Sequence, residues 1–239
     1  MRLRRKIQLF SVTVTIVALN LSAATAQVSF GADIVSRYIW RGVDFGESLS
    51  IQPVLSFSAG PFEMGSWASY AISPVSSDVN EHDLWAGYSL ELGDGILSLT
   101  VTDYYFPNAG FGFFDFDGVE GDAVSAGGHW IESAVSYAGG ESFPVNLLAG
   151  AFVHNDPDMS VYFEAAYPLS VSDVSLDLLV GGTAGKSALY GTTGAGLLAL
   201  GVTATKEVPL TAQLSLPLSV SYILNPTAER TYLILGFSF

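Results

Sequence analysis

The sequence predicts an all-β protein, an antiparallel transmembrane β-barrel of about twelve strands, with ten and fourteen as the neighbouring even counts. Three observations predict it. Charged residues make up 13% of the chain, about half the share of an ordinary soluble protein, while hydrophobic residues reach 49%. After residue 27, no apolar run approaches the roughly 18 residues that a membrane-crossing helix needs. The apolar residues instead recur with period two, in segments of about ten residues, which is the length of a tilted membrane strand. A soluble exported sandwich would account for the alternation and the turns. It would not account for the low charge, for the loop asymmetry described below, or for the apolar final strand.

The first element is not part of the barrel. Residues 1–6 read Met-Arg-Leu-Arg-Arg-Lys, residues 7–21 are largely apolar, and Ala24-Thr25-Ala26 follows. A basic start, a short apolar stretch and a small-residue site make a secretory signal peptide, cut before Gln27. The apolar run holds Thr13, Thr15 and Asn20 and is short for a span of about 20 residues. The expected organisation is a signal at 1–26 and one barrel domain at 27–239.

The barrel is expected to begin at 29–42. Phe30, Ala32, Ile34, Tyr38 and Trp40 fall on one face of a strand there, with Asp33, Arg37 and Arg41 on the other. The two aromatics closing the apolar face suit the point where a strand leaves the hydrocarbon. Eleven further strands are expected at 50–59, 62–72, 81–92, 96–106, 128–138, 145–154, 159–167, 174–183, 195–205, 211–224 and 229–239. The alternation is clean at 81–92, where Leu84, Ala86, Tyr88, Leu90 and Leu92 oppose Trp85, Gly87, Ser89 and Glu91. It is equally clean at 211–224, where Leu214, Leu216, Leu218, Val220 and Tyr222 oppose Gln213, Ser215, Pro217, Ser219 and Ser221. Pro53 and Pro217 lie inside expected strands and call for a bulge or a shifted boundary. The Gly-rich run 181–201 carries no assignable function.

The connections alternate in length. Ala-Gly-Pro at 59–61, Gly-Asp-Gly at 93–95, Gly-Gly-Glu-Ser at 139–142 and Lys-Glu-Val-Pro at 206–209 are turn signals. Longer polar stretches lie between them at 43–49, 73–80, 107–127, 185–194 and 225–228. Short turns on one side and longer loops on the other is the outer-membrane pattern. Two connections fit less well: 154–158 is short for an outer loop, and 168–173 is long for a turn. In the last strand, Leu233, Leu235, Phe237 and Phe239 share a face, and the chain ends on the aromatic. That ending resembles the C-terminal signal that outer-membrane barrels present to their insertion machinery.

At Tyr38-Ile-Trp-Arg-Gly, Ile51-Gln52-Pro53, Gly65-Ser66-Trp67-Ala68-Ser69, 81–88 and Thr102-Asp103-Tyr104-Tyr105-Phe106-Pro107, the chain resembles the TorF-type porins. These are uncharacterised outer-membrane proteins of Gram-negative bacteria. The likeness continues through 129–132 and 156–168. It implies an outer-membrane barrel, with the porin label a presumption within that family, and it brings no catalytic residues to transfer.

Function is sought in the inward charges. Alternation points Asp33, Arg37, Arg41, Glu63, Glu91, Glu132, Glu164 and Asp177 into the barrel, because a charge facing lipid near the midplane costs roughly 2–4 kcal/mol. They either line a water-filled passage or pair across the lumen and close it. Eight-stranded barrels are filled by side chains and 16-stranded ones conduct, so twelve strands lie between. Two arginines against six acids favour cations in any pore. The expected role is passive diffusion of small solutes or ions; the alternative is a closed structural or adhesive barrel acting through acidic outer loops. In the longest loop, Asp115, Asp117, Glu120 and Asp122 have spacings that could wrap calcium, without the terminal Glu of a full calcium loop. The reading there is a solvated acidic loop and no metal, with Phe111, Phe113, Phe114 and Phe116 folding it onto the rim or into the mouth.

Other classes are weaker. His82, His129 and His154 are the only histidines, there is no Gly-x-Ser-x-Gly elbow, and no enzyme or cofactor is expected. No cysteine is present, so disulfides and thiolate chemistry are absent. Beyond residue 26, five basic residues face 23 acidic ones, which excludes nucleic acid as a partner. The expected partners are outer-membrane lipid and lipopolysaccharide, and the barrel-insertion machinery.

Overall fold

A computed structural model describes residues 26–116, 127–211 and 214–239. The expected signal peptide, apart from its last residue, lies outside them, as do Asp117, Glu120 and Asp122 of the acidic loop. The strands are β1 (Gln27–Val35), β2 (Ile39–Trp40), β3 (Val43–Asp44), β4 (Ser50–Ala59), β5 (Phe62–Ala71), β6 (Glu81–Leu92), β7 (Gly95–Tyr105) and β8 (His129–Ala138). They continue with β9 (Asn146–His154), β10 (Val161–Val171), β11 (Val174–Thr183), β12 (Lys186–Ser187), β13 (Thr192–Thr193), β14 (Gly196–Pro209), β15 (Ser215–Asn225) and β16 (Arg230–Ser238). Twelve of these close into an antiparallel barrel, each paired with its neighbour along the chain, and β16 returning to β1. The remaining four form two small hairpins, β2–β3 and β12–β13, which sit apart from the wall.

Directly paired residues share a face of a sheet. Following the register from Asp33 through Gln52, across to Trp67 and Asp83, then Tyr104, Trp130 and onward traces one continuous face around the barrel. This face carries Ser29, Ser56, Ser98, Ser136, Thr203, Ser219 and Ser221, and it is the lumen. The opposite face carries the exposed apolar side chains, among them Phe30 at 87% and Leu233 at 67% exposure. Water-exposed apolar surface on this scale is what a lipid-covered belt requires.

Both described termini lie at one end of the barrel, where the connections are tight. Gly60-Pro61, Gly93-Asp94 and Ser172-Asp173 are two-residue turns between paired strands. The expected long turn at 168–173 disappears because β10 continues to Val171, with Pro168 opposite Asp177. The other end holds the longer connections, including a short 3-10 helix at Pro74–Val79. The prolines inside strands are accommodated by gaps in pairing. The β4–β5 ladder carries no pair between Ile51↔Tyr70 and Val54↔Trp67, and the β15–β16 ladder starts one residue after Pro217. The barrel closes on three pairs only, Asp33↔Ser238, Ile34↔Phe237 and Val35↔Gly236, with the Phe239 amide donating to the Ala32 carbonyl at 3.0 Å. Leu233, Leu235 and Phe237 follow one another on the apolar face, and the Phe239 ring packs edge-on against Phe237.

Candidate functional site

The first strand stops seven residues earlier than its alternation suggests. The Ser36 hydroxyl accepts the Leu235 amide at 2.9 Å, and the Ser36 amide donates to the Leu235 carbonyl at 2.8 Å. The chain then leaves the wall and folds into the loop end of the lumen as the β2–β3 hairpin. Arg41 and Gly42, with φ of 51° and 77°, make its two-residue turn. A Cβ on Gly42 would strike the Leu198 carbonyl of β14, so this turn sits hard against the wall. Asn225 clamps it from the other side, its side-chain amide donating to the Gly42 carbonyl at 3.0 Å. This corrects the expected strand at 29–42. Tyr38 and Trp40 lie in the mouth of the lumen, not on the lipid face, and Arg37 and Arg41 leave the barrel wall.

Arg41 is the centre of the mouth. Its guanidinium grips the Glu132 carboxylate with both nitrogens, at 2.6 and 2.9 Å, and donates to the Tyr190 hydroxyl at 2.8 Å. Its planar head lies over the rings of Trp40, at 4.4 Å, and Tyr162, at 4.5 Å. Glu132 also accepts the Tyr104 hydroxyl at 3.0 Å. The Arg41 and Glu132 side chains are 9% and 3% exposed, so the pair is sealed from water. A bidentate pair there draws its strength from the low dielectric and would leave a costly orphan if either side were removed. Three separate parts of the chain meet in it: the β2–β3 hairpin, the wall, and the loop carrying Tyr190.

That second loop explains the Gly-rich run. Residues 184–195 fold into the mouth as the β12–β13 hairpin, held by the Ser160–Ser187 hydroxyl pair at 2.6 Å and by Lys186 on Asp158 at 2.9 Å. Tyr190, Tyr162 and Leu198 form a buried core there. Gly181 is needed because a Cβ would meet the Tyr162 hydroxyl. Burial pushes the Tyr190 hydroxyl up to about 12, with Arg41 pulling the other way. Around this core, Trp40 packs on Phe45, Tyr104, Phe152 and Tyr190 with ring centroids 5.8–6.3 Å apart. Tyr38 packs on Phe45 and Trp67. The result is an aromatic layer across the mouth.

Of the eight charges read from alternation, the structure brings only Arg41 and Glu132 together. Asp33, Glu63, Glu91, Glu164 and Asp177 share the lumen face by register, spread along it. Glu164 accepts the Tyr162 hydroxyl at 2.8 Å. Arg37 lies in an outer vestibule of about 510 Å³, paired with Asp44 at 2.6 Å and Glu47 at 3.3 Å. Glu81 and Asp83, absent from the expected set, are buried on the same face, at 2% and 7% exposure. Their signal was present, since outward Leu84 puts both of them inward.

The described part of the longest loop, up to Phe116, folds onto the rim. Phe116 stacks on His129 at 3.9 Å, Phe113 packs edge-on against it, and His129 bonds Asp103 at 2.9 Å. Asp115 accepts the Gly112 amide at 2.7 Å. His82 bonds the Tyr70 hydroxyl at 2.7 Å, and His154 meets the Phe116 carbonyl at 3.0 Å. A depression of about 610 Å³ lies on the apolar outer face, lined chiefly by Leu97, Val135, Leu147, Phe163, Val180 and Leu197.

A family model, Gcw_chp, described as a bacterial protein of unknown function, matches residues 20–216. The chain belongs to the Gcw_chp family. No curated protein matches the sequence. A solved structure similar to this Gcw_chp chain is an outer membrane channel from Pseudomonas putida F1. It is 15% identical, with 90% of this chain and 94% of that one covered and a TM-score of 0.45. Arg41, Glu81, Asp83, Glu132, Tyr162 and Tyr190 all fall within the Gcw_chp match, and Asn225 lies beyond it.

Proposed function

We propose that the protein is an outer-membrane channel for small solutes, closed at its outer mouth by the inserted β2–β3 hairpin. The end with the termini and the tight turns faces the periplasm, and the signal at 1–26 is removed on export. One observation carries this reading. The lumen face is polar over the half nearer the termini, and its obstruction is inserted chain, the β2–β3 and β12–β13 hairpins, with the buried Arg41–Glu132 pair tying the first to the wall, and not the wall itself. A barrel meant only as a filled scaffold would close on wall side chains. The resemblance to the TorF-type porins supports the same reading. The acidic lumen face makes cations the favoured solutes, and no residue set is assigned to catalysis.

The test is single-channel conductance in a planar bilayer with asymmetric salt, comparing the wild type with Arg41→Ala. The expected outcome is small or infrequent openings in the wild type and a larger, cation-selective conductance in the variant. Silence from both, in protein shown to be inserted, would move the assignment to the second reading, a closed structural or adhesive barrel. That reading draws its support from the dense packing of the mouth.

A further inference from the structure

We propose that the mouth of the barrel holds a binding site for a primary alkylammonium group, built from an aromatic cage and the Glu81 carboxylate. The site is a cavity of about 20 Å³ between the inserted hairpin and the wall. Trp40 and Phe45 border it from the hairpin, and Tyr104, Phe106, Trp130 and Phe152 from the wall. Glu81 is the charged residue in its lining. It is 2% exposed; its carboxyl hydrogen-bonds Tyr38 and Asp83, and its Oε2 has no N–H donor. A buried carboxylate oxygen without a donor costs free energy that a cation bearing N–H groups offsets.

The rings supply the rest of the site. Trp40 stands at 88° to Phe45 and 68° to Tyr104, and Trp130 at 85° to Phe152. Rings set this way turn faces as well as edges toward the space they enclose, and aromatic faces attract cations. The charge balance points the same way. Asp83, next along the lumen face of β6, is 7% exposed and hydrogen-bonds the Glu81 carboxyl. Arg41 is already spent on Glu132. A hydrogen bond between two carboxyls needs a shared proton, so the mouth holds one guanidinium against Glu132 and a singly charged Glu81–Asp83 pair, a net negative charge.

Size and donors set the ligand class. A cavity this small takes about one water-sized group, for which roughly 10–15 Å³ suffices. It admits an –NH3+ head with its first methylene and is too small for a quaternary head, which also has no N–H to give Glu81. The site goes beyond the channel reading, because binding in the closed barrel is measurable whether or not the lumen ever conducts.

Trp40 and Trp130 are two of the chain's four tryptophans, so binding has an optical reporter. The experiment is a tryptophan fluorescence titration of the refolded full barrel in dodecyl maltoside with methylammonium chloride. Potassium chloride at equal ionic strength and methanol serve as controls. The expected result is a saturable change with methylammonium alone, with an apparent affinity at least tenfold weaker in Glu81→Gln. An equal response to potassium, an equal response to methanol, or no saturable response overturns the proposal. These comparisons within the wild type carry the test even if Glu81→Gln fails to fold. An ammonium head reaches the mouth on a free amine or on an ethanolamine lipid. Tighter saturation by lysophosphatidylethanolamine than by methylammonium assigns the site to the lipid head, and the reverse order assigns it to solutes.

Discussion

The two halves of the lumen are built on the same alternation and end up as different materials. Near the termini, the inward face is mostly small and hydroxylated, with cross-strand pairs such as Ser89–Ser98 and Thr203–Ser221, both at 2.8 Å. Near the longer loops, the inward face carries Glu81, Asp83, Tyr104, Glu132, Phe152 and Tyr162, all lying close against inserted chain and nearly all buried. Small polar residues leave a lumen to water. Large aromatic and charged ones demand partners, and here the loops provide them. The sequence of the wall therefore marks where the barrel is to be filled from outside the wall.

The comparison breaks most severely at Arg41. Arg41→Ala leaves Glu132 buried with only the Tyr104 hydroxyl, and the expected loss is about 3–5 kcal/mol in urea unfolding. Charge changes in the other half test the contrast: Asp177→Asn is expected within about 0.5 kcal/mol of wild type, since Asp177 is exposed to the lumen water. Next in size is a pair of glycines. Gly181→Ala drives a methyl into the Tyr162 hydroxyl and is expected to cost about 1–3 kcal/mol. Gly201→Ala, whose new methyl would meet its nearest atoms at 3.5 Å, is expected to be neutral by the same measurement. Asp177→Asn and Glu63→Gln together are expected to shift the reversal potential of Arg41→Ala channels away from cations. An unchanged potential would remove these carboxylates from the selectivity argument.

The smallest effect belongs to the exposed pair that pins the second inserted loop. Lys186 on Asp158 holds that carboxyl below its usual range. A depressed carboxylate contributes stability above its unfolded value and loses it as pH falls through the folded one. Asp158→Asn is therefore expected to lower thermal stability slightly at pH 7 and to flatten the further fall below about pH 4.

Most of the barrel was legible because period two is a local property. The bounds 81–92 and 174–183 coincide with β6 and β11, and twelve strands close the wall. The error at 29–42 is instructive. The β2–β3 hairpin is itself extended, so the alternation ran on past Val35 while the backbone had already turned. The sign of that turn was Arg41-Gly42, which lacks the Asn or Asp that commonly leads such a pair. Glu81 and Asp83 are readable as inward-facing from the phase of Leu84, although they sit beside a loop. The meeting of Arg41, Glu132 and Tyr190 spans up to 149 positions and leaves no local trace. The run 181–201 is featureless as sequence because two of its glycines, Gly181 and Gly196, make room for Tyr162 and Thr227 elsewhere in the chain.

The seam between β1 and β16 has a consequence for assembly. Eleven joints of the cylinder are long ladders between strands adjacent in the chain, and the twelfth is a three-pair clasp between its two ends. Neighbouring strands can zip as each hairpin appears, since little chain separates them. The clasp must wait until the whole ribbon has curled. It is thus the last joint made and the easiest to part, and the aromatic pair Phe237 and Phe239 sits beside it like a tab at the end of a rolled sheet.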